Sequence, residues 1–588
     1  MARKILGIFI LCVTGIVVGA QQPSIDDFFR DFSEQWVRMH PNLAVNSRYF
    51  TGEEQDRLEQ QLTSFTPAER AKRMAHLKRG LTELDRFDRA RMTDVQRISA
   101  DLLRWQLQNA VEGERFEDFS FPLDQMGGAN VSLVNTMTVT HPLRTPRDAS
   151  NYVARLRLVG TRMAEAVTDG RDRAAKGMIP PRFILQATIT QMRRFVDAPP
   201  AQNPLVMVFS ERASAIRDLP EATRLELAGQ TETIVKADVY PRWVEAIALL
   251  ESLLPRSADH AGLWRFEGGA QAYAYFLKSY TSTNLSSDAI HEIGLKEVAR
   301  IEREMDAIFR RLGRTEGSVK DRTEKIEKDL SYPITEEGRK QIMADIDGMI
   351  RDAERRSALQ FDRRPKSPVI AQPYPRFREA NAAASYTAPA LDGSRPGIFQ
   401  MPLRPGRMTK FGLRSLVYHE TVPGHHFQIA LSVEDSQLPR FRQARVFGFI
   451  SAITEGWALY AERLAAESGW YEGDEEGRLG QLDFELWRAR RLVVDTGLHS
   501  RKWTRQQAID YGIEASEIDR YVVNPGQACS YMIGQLRILE LRDRAKAALK
   551  DRFSEREFHN VVLAPGTVPL DLLEQEVNRY IQAAGPKP

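Results

Sequence analysis

A large, mainly α-helical protein is the fold the sequence predicts. Two features predict it. Apolar residues recur every three or four positions over most of the chain, and no fixed internal repeat accompanies them. The segment Asp288 to Leu312 shows the pattern best: Ile290, Gly294, Val298, Ile301, Met305, Ile308 and Leu312 form one apolar stripe, charges fill the other face, and Gly313 supplies the stop. Segments around 65–85, 93–111, 147–170, 222–253 and 336–358 read the same way. Ser24-Ile25-Asp26-Asp27 resembles a capping box opening the first helix.

The N-terminus reads as a targeting segment over residues 1–20. Arg3 and Lys4 make a basic start, Ile5 to Val18 is apolar, and Val18-Gly19-Ala20 ends on small residues. The apolar run is short for a membrane span of about 20 residues. Leu11 ahead of Cys12 argues against a lipid-modified cysteine. The expectation is an exported protein, periplasmic or secreted, with no membrane association after the segment is removed. Cys12 leaves with it, so Cys529 is alone, and neither an internal disulfide nor a cysteine-based metal site can form. The formal net charge of +3 falls to about +1 without Arg3 and Lys4, which speaks against a nucleic-acid partner.

Two stretches interrupt the helical pattern. Ala198 to Pro204 is a proline-rich loop. The proline-rich run from Arg363 to Phe377 marks a boundary, giving an N-terminal helical lobe over 21–365 and a second lobe over 366–588. The lobes are expected to form one compact unit. Ala383 to Met401, with Gly393-Ser394-Arg395-Pro396-Gly397 as a tight turn, predicts a short β-hairpin ahead of the next helix. An ordered loop is the alternative.

That next helix carries the chemistry. Phe411 to Glu420 is amphipathic and ends on His419-Glu420, followed by Thr421-Val422-Pro423-Gly424-His425-His426. Two imidazoles, a carboxylate ligand and a second carboxylate to take a proton from water are the inventory of a zinc hydrolase. In the usual spacing the histidines are one helical turn apart. Here His425 lies six positions after His419, so an unbroken helix would aim it elsewhere. Pro423 removes a backbone donor and Gly424 tolerates unusual dihedrals, so a bulge at this step can return His425 to the metal. His426 is the alternative ligand. The third ligand is expected to be Glu455. It borders the apolar stripe of Ile453, Trp457, Tyr460 and Leu464, where a buried carboxylate needs a cation. Gly456 allows another backbone to approach. Glu462, two turns on, is a candidate to orient an imidazole. Glu420, next to a ligand, has the position of a general base. Imidazole with carboxylate suits Zn2+ best, with other divalent metals also accepted. A second His-Glu pair, His291-Glu292, has no histidine close downstream and reads as an ordinary surface pair.

The chain resembles the bacterial family catalogued as domain of unknown function 885, whose signature has the form H-E-x-x-P-G-H. The resemblance extends to Thr454-Glu455-Gly456-Trp457-Ala458, Asp495-Thr496-Gly497-Leu498-His499, Pro525-Gly526-Gln527-Ala528 with Tyr531 and Gly534, and Phe558-His559. That family is similar to helical zinc peptidases of the thimet oligopeptidase, carboxypeptidase Taq and angiotensin-converting enzyme type. The resemblance implies a two-lobed zincin-like fold with a central cleft, an oligopeptide substrate, His419, His425 and Glu455 as ligands, and Glu420 as base. Leu459 stands where many such enzymes place a second acid, which leaves ligand orientation unexplained. By position, Tyr531 and His499 resemble the oxyanion-stabilising groups of those peptidases. Either is equally suited to a buried structural role. Arg491 and Arg537 could bind a substrate carboxylate or simply form salt bridges. The rival functions are a metal-dependent hydrolase of non-peptide amides or esters and a non-catalytic peptide-binding protein.

Overall fold

The computed structural model describes residues 24–374, 376–379, 383–404 and 409–584. The targeting segment and Cys12 lie outside the described residues. The protein is mainly helical, 70% helix against 3% strand. Ser24 accepts the Asp27 amide and caps the first helix, Ile25–Arg38. The stripe of the long segment becomes the helix Ser287–Arg311, capped by Ser286, with Ile290, Gly294, Val298, Ile301, Met305 and Ile308 buried. Gly313 follows in the left-handed conformation, which is why glycine stands there. His291 departs from the expectation. It is not a surface residue but is buried, with Nδ1 2.8 Å from the Thr496 hydroxyl. The predicted segment 147–170 is two helices, Pro146–Leu156 and Val159–Ala175.

One hydrophobic core crosses position 365: Ile290, Ile301 and Ile346 pack in the same cluster as Tyr418, Trp457 and Leu492. A second core is drawn wholly from Leu62 to Leu253. A third joins the first helix to Phe441 and Val446. The described helices include none long and apolar enough to cross a membrane.

The expected hairpin forms, as β2 (Ser385–Thr387) antiparallel to β3 (Gly397–Met401). The proline-rich stretch before it adds β1 (Val369–Pro373), which pairs parallel to β3, so the order is β1-β3-β2. Pro373 ends β1 at the sheet edge, where a missing N–H does little harm.

The frame that carries the His-Glu segment is set by the helix Ser451–Glu467 crossing Ser530–Leu549. Gly456 and Gly534 meet at the crossing. A Cβ on Gly456 would lie 2.5 Å from the Gly534 backbone, and one on Gly534 would lie 1.8 Å from the Ala452 carbonyl oxygen. Backbone cannot yield as a flexible side chain can, so the helices would have to separate. Gly534→Ala is therefore expected to destabilise the protein by about 1–3 kcal/mol or more. A lowered denaturant midpoint checks this, and an unchanged midpoint would show that the crossing is loose.

Candidate metal centre

The helix Leu413–Glu420 stops where the sequence turns to Thr-Val-Pro-Gly, and a new helix, His425–Glu434, starts directly after it. The chain does not bulge within one helix; it breaks and folds back. The Val422–Pro423 peptide is cis. A Cβ at position 424 would sit 2.0 Å from the His419 carbonyl oxygen, so only glycine allows the return. Trp457 Nε1 donates to the Pro423 carbonyl at 2.8 Å and pins the turn to the Ser451–Glu467 helix.

The break brings the two imidazoles together. Their ring centres are 4.7 Å apart and the planes cross at 79°. Glu455 faces both: its Oε2 is 3.5 Å from His419 Nε2 and 3.3 Å from His425 Nε2. The three donor atoms lie within 4.8 Å of one another. Bond lengths of about 2.0–2.1 Å at a tetrahedral angle require ligand atoms about 3.4 Å apart. The donor set and the spacing both fit a zinc ion. His419 and His425 are buried, and the Glu455 side chain is 13% exposed.

Behind the ligands, Glu462 orients His419. Its Oε1 accepts from Nδ1 at 2.7 Å, and its Oε2 accepts from the Ser415 hydroxyl. This supplies the orientation that Leu459 left unexplained: the acid comes two turns after Glu455, not one. His425 Nδ1 is buried and has no hydrogen-bond partner among the described residues.

Electrostatics among these side chains follow from crowding. Burial opposes the ionised form of Glu455, but His425 and His419 outweigh it and hold the carboxyl well below its usual range. Burial likewise opposes protonation of His419, and Glu455 and Glu462 overcome it, pushing the imidazole up to about 9. Glu420 is buried beside the cluster. Burial raises its pKa against the pull of His425 and His419. It makes no hydrogen bond or ion pair among the described residues.

Family comparison meets this geometry here. A model described as a bacterial protein of unknown function (DUF885) matches residues 47–577. The chain belongs to the DUF885 family. The crystal structure of a "putative lipoprotein" from Colwellia psychrerythraea is similar to this DUF885 protein at 31% identity, covering 95% of this chain and 99% of that one with a TM-score of 0.88. A second "putative lipoprotein", from Shewanella oneidensis, shares the fold at 19% identity, 94% and 99% coverage and a TM-score of 0.69. Among curated proteins none matches.

The remaining predicted residues divide. Tyr531 is at the site, its ring stacked against His419 with centres 6.3 Å apart, and its hydroxyl makes no hydrogen bond among the described residues. Arg491 lies over that ring, 4.4 Å from its centre. His426, the alternative ligand, points away: Nδ1 meets the Tyr386 hydroxyl and Nε2 meets the Ser367 carbonyl, both at 3.0 Å. It ties its helix to the small sheet. His499 is not placed as an oxyanion donor. The Leu263 amide donates to its Nδ1 and its Nε2 donates to the Tyr521 carbonyl, so both nitrogens are occupied. Arg537 is held by Glu540 and Glu574, which leaves it no role at the site. The sequence reading missed Arg488, one turn before Arg491 on the helix Glu475–His499 and 3.9 Å from Glu462. The i, i+3 spacing from Arg491 was the available signal.

Glu462→Gln is expected to weaken zinc binding about 10–100-fold, while His426→Ala leaves it nearly unchanged. Chelator competition on the purified variants measures both. Equal affinities for Glu462→Gln and wild type would remove the orienting role.

Proposed function

We propose that this protein is an exported, zinc-dependent peptidase that hydrolyses oligopeptides. The observation that carries the reading is the convergence of His419, His425 and Glu455 beside a buried Glu420 that makes no hydrogen bond among the described residues. A structural metal needs no spare carboxylate next to its ligands. His419, His425 and Glu455 would hold the ion, with Glu462 fixing the His419 ring. When bound, zinc supplies Lewis-acid polarisation of the scissile carbonyl and makes water more acidic.

The chain's own residues do the rest. Glu420 accepts a proton from the attacking water and delivers it to the departing amine, a transfer favoured by its raised pKa. Tyr531 donates its free hydroxyl to the oxygen that becomes negative as the carbonyl is attacked. Limited exposure of Glu455 and His425 supports a recessed site that admits extended peptides rather than folded proteins. The separate core between Leu62 and Leu253 supports a two-lobed, zincin-like arrangement with the metal in a cleft. The lipoprotein description of the two similar structures supports export, in line with the basic and apolar N-terminus.

Glu420→Gln is expected to keep stoichiometric zinc and lose about 10²–10⁴-fold in peptide cleavage, whereas His419→Ala loses both metal and activity. Metal analysis with a peptide-library digest separates these outcomes. Equal cleavage by wild type and both variants would sink the proposal. Tyr531→Phe should lower kcat about 10²-fold with little change in KM; an effect confined to KM would move Tyr531 from the transition state to substrate binding.

A further inference from the structure

A cavity that shares no residue with the metal centre lies where three packing units meet. On its wall, Phe121 and Ile179 pack against the core drawn from Leu62 to Leu253, Leu263 and Phe266 side with the core that crosses position 365, and Ile184 and Val522 come from a further cluster. The cavity takes up about 460 Å³, counting its open mouth. His499 ties two of its walls together, taking the Leu263 amide at 3.2 Å and reaching the carbonyl of Tyr521, the neighbour of Val522, at 3.1 Å.

The wall is mostly apolar, and its charged groups are Asp118, Asp124 and Arg265. Asp118 is paired with Lys176 at 2.8 Å. Asp124 and Arg265 make no ion pair with each other or with any other described residue. Each is held by its own backbone turn. Asp124 Oδ1 accepts the Met126 and Gly127 amides at 2.6 and 2.7 Å, and Asn130 Nδ2 donates to the Asp124 carbonyl at 2.9 Å. A Cβ on Gly128 would lie 2.3 Å from the Asp124 amide nitrogen, so this turn requires glycine. Arg265 Nη1 donates to the carbonyls of His260, Ala261 and Gly262, and its guanidinium lies 4.2 Å from the Phe266 ring centre. Arg265 Nε and Nη2 have no acceptor among the described residues. Burial draws this guanidinium down to about 10 and pushes the Asp124 carboxyl up, as it does for charges without counter-ions.

Charges in an apolar cavity are costly unless paired. Here two opposite charges are fixed apart, so a ligand that satisfies both must carry both signs. A fatty acid would leave Asp124 unmatched, and an alkylamine would leave Arg265 unmatched. The aromatic part of the wall selects the rest of the ligand: Phe119 and Phe266 meet edge to face, with centres 6.1 Å apart and planes at 77°, and such edges and faces suit another ring. We propose that this cavity binds a free aromatic α-amino acid, with its ammonium on Asp124, its carboxylate on the Nε and Nη2 edge of Arg265, and its ring against Phe119, Phe121 and Phe266. The proposal does not depend on the peptidase reading.

Calorimetry on chelator-treated wild type, where no metal can hold an amino acid, compares L-phenylalanine with analogues that each lack one feature. L-phenylalaninamide lacks the carboxylate, N-acetyl-L-phenylalanine lacks the ammonium and glycine lacks the ring. L-phenylalanine is expected to bind at least about 10-fold tighter than each of them. Asp124→Asn should weaken L-phenylalanine by about 10-fold or more and leave N-acetyl-L-phenylalanine unchanged. His419→Ala, at the metal centre, should change neither. No binding of L-phenylalanine, equal affinity for any analogue, full affinity in a folded Asp124→Asn, or loss of binding in a folded His419→Ala would each overturn the proposal. The comparison of ligands on wild type stands even if the variants fail to fold.

Discussion

A carboxylate buried against two imidazoles is the constraint on which the rest of the structure depends. Glu455 is nearly enclosed, and an enclosed carboxylate without a cation is unstable. His419 and His425 face it from two helices that meet at a sharp turn. The two imidazoles hold its carboxyl well below the usual range. The same three atoms lie close to the spacing that tetrahedral coordination of a divalent ion would need. The turn has to be held in place, because a small rotation of either helix would leave Glu455 facing nothing.

Several otherwise unrelated features serve that need. Trp457 grips the Pro423 carbonyl from the helix that also bears Glu455, so ligand and turn share one support. Glu462, on the same helix, fixes His419 from behind. Gly456 and Gly534 let that helix lie against its neighbour, which places Tyr531 over the His419 ring. His426 anchors the start of its helix to Ser367 and Tyr386 beside the sheet. The motif residues that lie outside the group of His419, His425 and Glu455 are thus largely those that fix its position.

The residues whose alternative readings were left open by the sequence share a cause. His499, His426 and Arg537 were weighed by residue type and by position relative to the metal helix, and type says only what a side chain can do. Each found a closer partner in the folded chain: a pair of backbone groups, a carbonyl with a phenol, and two carboxylates. His291 was read from its helix alone, which could not show that Thr496 would meet it from another helix. Arg488 went unnoticed because long-range neighbours, not local pattern, make it part of the site.

By itself the sequence determined the helical class, the stripe of the Ser287–Arg311 helix, the end of the helix at Glu420, and the identities of the imidazoles and the acid that meet. These are local properties: periodicity, a proline that cannot continue a helix, a glycine where no Cβ fits. Only the tertiary structure decided that the turn breaks the helix instead of bulging it, that Glu462 holds His419, and that the guanidinium groups of Arg488 and Arg491 lie beside Tyr531. Each of these depends on which distant helix comes to lie against which, and that is settled by packing over hundreds of residues, not by any window of the chain.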